Sequence, residues 1–277
     1  MYDKIPISNS MEITGEVERE IASLASGLEN LTTSQVEPDG KYSYIGVYSN
    51  DLHVAERIPS MQRALGVLTS KTSGLRIGLV IGSGGLLSLG KELPQIDTWV
   101  VLDKSPGLIE MMKKYYKTVS SATNPQQLID MSVDFGDAKQ TKLDQEKESY
   151  GQYHYLENQG NLQRTQEFLA KKKIVFINGN LVDTDFMAKV GNILKSHDAE
   201  IAFANFTNVM EWIPGYNEGT SRQKLQSSTE HVPFSRDCVV LFSVSQGGYG
   251  LRGKVGRSPL NTQAVIGLER YMKRANL

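Results

Sequence analysis

The chain has 277 residues, 39% hydrophobic and 22% charged, with a formal net charge of −1. That is enough for one large domain or two small ones with a self-sufficient core. A single cysteine, Cys238, excludes an intramolecular disulfide framework and any cysteine-cluster zinc or iron–sulfur site, and four histidines leave little material for another metal centre. A pI near 6.5 argues against a surface built for nucleic-acid phosphates.

Met1 to Asn30 is studded with charge and holds no apolar stretch of signal-peptide length. The longest uncharged run around the central glycines, Ile77 to Gly90, is broken by five glycines and is too short to span a bilayer. The expectation is a cytoplasmic protein with no membrane partner, where a lone thiol is ordinary. Charge is uneven along the chain: residues 1–40 carry net −6 and residues 250–277 net +5. Two solvated ends account for this. A protein partner met through these charged termini, with Arg252, Lys254, Arg257, Lys273 and Arg274 as the basic patch, is the sharper alternative.

Helical spacing of Val17, Ile21, Leu24 and Leu28 predicts a helix over Glu16 to Leu31. Glu37-Pro-Asp-Gly40 reads as a turn, and Lys41 to Ser49 as a strand with Tyr42, Tyr44 and Tyr48 on one face. A second helix over Val54 to Leu68 starts late because of Pro59. From Arg76 the pattern changes. Arg76 to Ile81 is a short apolar run fitting a strand buried on both faces, Gly82-Ser-Gly-Gly85 is a turn, and Leu86 to Leu93 opens a helix. Thr98 to Leu102 is a second strand ending in Asp103, and a helix follows from Pro106. The polar stretch from Thr118 to Gln159 exceeds an ordinary connection and reads as a lid or an elaborated surface segment.

After a helix over Asn161 to Ala170 come a third strand, Lys173 to Ile177, and a helix over Phe186 to Leu194. A fourth strand over Glu200 to Ala204 and a fifth over Cys238 to Val244 complete the apolar runs. Asn261 to Asn276 places Val265, Leu268, Met272 and Ala275 at helical spacing and is expected to be a helix. Strands alternating with helices imply an α/β fold: a doubly wound, mainly parallel sheet with helices on both faces, plus an N-terminal helical extension.

In such a sheet ligands bind beyond the carboxyl ends of the strands, where strand order reverses. Gly82 and Gly84 let the backbone approach a ligand. Asp103 lies 21 residues after Gly82, at the tip of the next strand, where a carboxylate can accept from both hydroxyls of a ribose. Asn180 and Asn205 stand just past the third and fourth strands. Each has a plain alternative: tight-turn geometry for the glycines, an N-cap for Asp103, turn chemistry for the asparagines. Their conjunction, in this order and spacing, suits a nucleoside-bearing ligand. A nicotinamide fingerprint wants a small residue where Leu87 sits.

The segment Asp103-Lys-Ser-Pro-Gly-Leu-Ile-Glu-Met-Met112 resembles the stretch after the glycine turn in class I (Rossmann-like) S-adenosylmethionine-dependent methyltransferases. The resemblance implies a Rossmann-like domain over 71–277, with an insertion at about 118–160, behind an N-terminal helical and aromatic extension over 1–70. It implies S-adenosylmethionine as cofactor, approached by Gly82, Ser83 and Gly84. Asp103 would hold the ribose with Lys104 beside it, and Asn180 and Leu181 would embrace the adenine. Asn205 would stand beside the methyl group and the acceptor. The chain departs from the family pattern at Val80 and Leu86, where an acid and a third glycine are usual, and shows no obvious final antiparallel hairpin.

Methyl transfer needs alignment of nucleophile and methyl group, and a base where the nucleophile must lose a proton. Asn205 could orient an acceptor, and Glu211 and His231, between strands four and five, are the other catalytic candidates. Tyr42, Tyr44, Tyr48, Tyr153 and Tyr155 could close over the site, although packing is the commoner fate of aromatics. His154 and Glu157 are too few for a metal site. The expected function is methyl transfer to a small-molecule acceptor, with no nucleic-acid partner. The rivals are a nicotinamide-dependent oxidoreductase and a non-catalytic interaction protein on the same scaffold.

Overall fold

A computed structural model describes residues 15–31, 53–68, 74–82, 85–133, 137–207, 209, 220–245 and 260–266. The tyrosines expected on a strand at 42–48, and both charged ends beyond residues 15 and 266, lie outside the described residues. Six strands form one sheet: β1 (Leu75–Ile81), β2 (Thr98–Asp103), β3 (Lys173–Asn178), β4 (Ala199–Phe206), β5 (Phe234–Ser245) and β6 (Leu260–Ile266). Their order is β3-β2-β1-β4-β5-β6; β1 to β5 are parallel and β6 pairs antiparallel with β5. The doubly wound α/β expectation holds, with the order reversing between β1 and β4.

Side-chain alternation splits the core in two. Val80, Trp99, Val101, Phe203, Val239 and Leu241 point to one face. There they meet α2 (Ile58–Leu68), α3 (Leu86–Leu89), α4 (Pro106–Ser121) and α7 (Gln159–Lys171). Ile77, Leu79, Val100, Leu102, Val175, Ile201, Val240 and Phe242 point to the other. That face is covered by α1 (Gly15–Glu29), α8 (Thr184–Ser196) and α9 (Ser221–Thr229). Helix α1 joins the second core through Ile21, Leu24, Ala25 and Leu28, the predicted apolar stripe, and packs on β3 and α8. Cys238 is fully buried in β5 and burial pushes its thiol up, so it is no nucleophile.

The segment between β2 and β3, expected as a lid or an elaborated surface segment, is largely helical where it is described. It continues α4 to Ser121, then forms α5 (Pro125–Val133), α6 (Asp137–Tyr150) and a 3-10 turn at Gly151–Tyr153. Leu128, Leu143, Tyr150, Tyr155 and Leu156 are buried in the first core. Tyr155 donates to or accepts from Tyr115 at 2.7 Å between hydroxyls, inside the protein rather than over a crevice.

Other boundaries moved. Helix α3 is only one turn, passing into a 3-10 turn at Gly90–Glu92 ahead of Leu93-Pro94. The predicted helix over Asn261 to Asn276 is corrected: Leu260–Ile266 is strand β6, with Val265 opposite Val240. Helix α9 is an element the apolar pattern did not announce, since its sequence SRQKLQSST is almost wholly polar. Among the described residues no helix is long and apolar enough to cross a membrane.

Candidate functional site

The carboxyl ends of β1, β2, β3 and β4 meet at the reversal point. Gly82 leaves β1 with φ +67°, a left-handed value that favours glycine, and its N–H donates to the Leu102 carbonyl at 2.9 Å. A Cβ there would stand 3.5 Å from Asp103 Oδ2, so the missing side chain leaves room beside the carboxylate. Asp103 is the last residue of β2. Its Oδ1 accepts from the Ser105 N–H at 2.7 Å, and its carbonyl accepts from Gly179 N–H at 2.9 Å and Asn178 Nδ2 at 3.0 Å. The tips of β1, β2 and β3 are thereby tied together around this carboxylate. The helix-cap alternative for Asp103 falls away: Ser105 caps α4, accepting from Leu108 N–H at 3.2 Å. Lys104 is half-buried next to it.

At the tip of β3, Asn180 Oδ1 accepts from Val182 N–H at 3.1 Å, and the Asn180 carbonyl accepts from Asp183 N–H at 3.0 Å. Asp183 in turn caps α8 through Phe186 N–H at 3.0 Å. Leu181 is buried in the second core, which anchors this loop. Asn205 lies inside β4 rather than past it, and is 1% exposed. Its Oδ1 accepts from Thr207 N–H at 3.1 Å and from Thr207 Oγ1 at 2.7 Å. A backbone N–H only donates, so the amide oxygen must face Thr207 and the amide nitrogen is the other end.

The structure brings Gly82, Asp103, Lys104, Asn180, Leu181 and Asn205 to one end of the sheet. Ser83, Gly84 and Glu211 lie outside the described residues. His231 lies apart from this group. It is exposed and precedes β5 at Phe234, which pairs with Ile201 at the amino end of β4. Asn205 pairs with Leu241, four residues or about 13 Å further along β4 at the usual strand rise. His231 therefore stands toward the amino ends of β4 and β5, away from Asn205.

Sequence reasoning missed the support beneath the glycine turn. Gly85 has φ +63°, and a Cβ on it would fall 1.8 Å from the Tyr150 hydroxyl oxygen. Next to Tyr150, the Ser149 carbonyl accepts from Ala55 N–H at 2.9 Å and its Oγ from Val54 N–H at 3.4 Å. Lys91 Nζ donates to the Ser88 carbonyl at 2.9 Å and to the Tyr153 carbonyl, and stands 3.7 Å from Glu92 Oε1. Arg164 bonds the same Glu92 oxygen from α7. Burial pushes the Lys91 ammonium down to about 8, although Glu92 works to hold it up.

His154 is fully buried in the same region. Its Nδ1 accepts from Leu156 N–H at 3.1 Å, which puts the proton of the neutral ring on Nε2, 3.9 Å from a Glu146 carboxylate oxygen. Burial, reinforced by Lys91, pushes the ring down to about 3, so Glu146 does not keep it charged. The only hint in the sequence was the cluster Tyr150, Tyr153 and Tyr155 closing an acidic stretch.

A family model described as "Domain of unknown function (DUF7790)" matches residues 103–276. No curated protein matches the chain. Among solved structures, the chain is similar to two of the rRNA methyltransferase AviRa from Streptomyces viridochromogenes. One has 18% identity and a TM-score of 0.40, over 94% of this chain and 97% of that one. The other has 17% identity and a TM-score of 0.41, over 92% and 97%. A third is the glycopeptide N-methyltransferase MtfA complexed with S-adenosyl-L-methionine, at 11% identity and a TM-score of 0.29, over 95% of this chain and 86% of that one.

Proposed function

The chain belongs to the family described as a domain of unknown function (DUF7790), and for it we propose S-adenosylmethionine-dependent methyl transfer to a small-molecule acceptor. The observation that carries this reading is the Asp103 carboxylate at the tip of β2. One oxygen is fixed by Ser105 N–H, and the other lies 3.5 Å from the space that only a glycine at 82 leaves open. A carboxylate fixed at a strand tip beside a glycine suits a ribose diol, which offers two O–H donors to one anion.

The proposed cofactor supplies an electrophilic methyl group. The residues of this chain would bind and orient. Gly82, Ser83 and Gly84 would approach its methionine portion, Asp103 with Lys104 beside it would take the ribose, and Asn180 and Leu181 would take the base. Asn205 is the residue assigned to the acceptor. Glu211 stays as the second acceptor-side candidate. A small acceptor is preferred to a nucleic acid because the net charge is −1 and acidic and basic side chains are nearly balanced.

The test is calorimetry and thermal unfolding with S-adenosylmethionine, its demethylated product and NAD. Saturation at about 100 times the dissociation constant adds about 2.7 kcal/mol of stability, a rise of several degrees in a chain of this size. The expected result is a rise with the sulfonium cofactor and its product and none with NAD, and a loss of at least tenfold in affinity for Asp103→Ala. Unchanged affinity in that variant would overturn the reading, and a rise with NAD alone would replace it with a nicotinamide-dependent oxidoreductase.

A further inference from the structure

We infer that Asn178 is a positioning residue for the Asp103 carboxylate, an inference that rests on reading Asp103 as the ribose-binding group of an S-adenosylmethionine site. Asp103 and Asn178 face each other across the last rung of the β2–β3 pairing. The Asp103 carbonyl accepts from the Gly179 N–H at 2.9 Å, which continues the ladder, and also from Asn178 Nδ2 at 3.0 Å. One donor already satisfies that carbonyl. The second is not needed to keep the strands paired, and what it adds is direction. A carbonyl held by two donors has little freedom to swing about its ladder bond.

Direction matters because this carbonyl belongs to the peptide joining Asp103 to Lys104. The next N–H along the chain, that of Ser105, holds the carboxylate through Oδ1 at 2.7 Å. Tilting the 103–104 peptide therefore moves the Ser105 N–H and the carboxylate with it. The other side of the clamp is well seated. Asn178 closes β3, whose Val175 and Ile177 are buried in the second core, and the Phe186 ring lies directly against Gly179. Asn180 and Leu181, proposed for the base, follow without a break. Residues 178 and 179 thus hold the strand tip that bears the ribose carboxylate, and the two residues after them would meet the base. The Asn178 amide sets the spacing between the two halves of the nucleoside site. Asparagine is a poor strand former, and it ends an otherwise apolar run, Ile174-Val-Phe-Ile177.

The test is a double-mutant cycle on the full chain, read by calorimetry with S-adenosylmethionine at concentrations that saturate the weakest variant. Asn178→Leu keeps the bulk of the side chain and the ladder bond from Gly179, and removes the second donor. Affinity should fall about fivefold, equivalent to about 1 kcal/mol, the net worth of one hydrogen bond. In the Asp103→Ala background the same substitution should cost less than twofold, because the group it orients is gone. Asn178→Ala goes through the same cycle should the leucine variant fail to fold.

Two results overturn the inference alone. One is an affinity within twofold of wild type in the Asn178 variant, whatever its melting temperature. The other is a loss of more than twofold that persists in the Asp103→Ala background, which would make Asn178 a ligand contact or a structural residue in its own right. A folded wild type that fails to bind the cofactor, or an Asp103→Ala variant that binds like wild type, overturns the underlying reading and this inference with it. Those failures appear in the titrations of the two parent proteins, before any substitution at 178 is made.

Discussion

The strand-tip rim and the buried frame behind it use polar side chains in opposite ways. On the rim most side-chain bonds are local: Asp103 to Ser105, Asn180 to Val182, Asn205 to Thr207, Asp183 to Phe186, with the Asn178 amide to the Asp103 carbonyl as the exception. In the frame they cross the chain: Lys91 to Tyr153, Arg164 to Glu92, Ser149 to Val54, Thr165 Oγ1 to the Leu87 carbonyl. Local bonds fix a carboxylate or amide at a strand end at little cost to the rest of the fold, which suits groups meant to meet a ligand. Bonds across the chain join elements that would otherwise drift, and two of the groups that make them, Lys91 and Glu92, are buried charges.

The sharpest break of that comparison is in the frame. Lys91 Nζ is 2% exposed beside Glu92, itself 5% exposed. Removing one partner of such a pair leaves an uncompensated buried charge, which costs about 3–5 kcal/mol. Glu92→Gln should therefore lower the melting temperature by roughly ten degrees, as seen by calorimetry. Asp103→Asn on the rim retains an oxygen for Ser105 N–H and should shift stability by no more than about 1 kcal/mol. Equal losses in the two variants would erase the distinction.

A smaller effect is written in pH. The unfolded chain takes up a proton on His154 near the ordinary 6.5, whereas the folded ring resists until about 3. Between those values the unfolded state binds more protons, so stability is lost as pH falls, by at most about 1.4 kcal/mol per pH unit from this group. Urea midpoints from pH 7 to pH 4 should fall less steeply in His154→Asn, whose side-chain oxygen can still accept from Leu156 N–H. Parallel curves for the two proteins would mean that the buried ring does not set the acid limb.

The same contrast explains what the sequence disclosed. The five parallel strands were legible because each is an apolar run bounded by turn residues, and Asp103 and Asn180 because their bonds reach only two residues along the chain. The start of β5 was hidden: Ser235, Arg236 and Asp237 precede the apolar run, so the strand appeared to open at Cys238 and His231 appeared free to lie near the site. Strand β6 has Asn261, Thr262 and Gln263 in its first half, and only pairing with β5 makes it a strand. Tyr150 was invisible as a partner of Gly85 because 65 residues separate them, and nothing in a period of 2 or 3.6 reports such a contact.

The finest test lies on the rim itself. Asn180→Ala deletes the local bond to Val182 N–H, whose net worth is about 1 kcal/mol. Asp183 still caps α8 and Leu181 still packs in the second core, so the fold has other holds on this loop. Stability should drop by about 1 kcal/mol or less, while affinity for S-adenosylmethionine falls several-fold, because the loop that would meet the base loses its fixed shape. Asn180→Asp can keep the local bond, since its carboxylate also accepts from Val182 N–H, and should restore stability. Its affinity then reports separately whether the amide N–H donors matter to the ligand, which is the one property that distinguishes this asparagine from a turn residue.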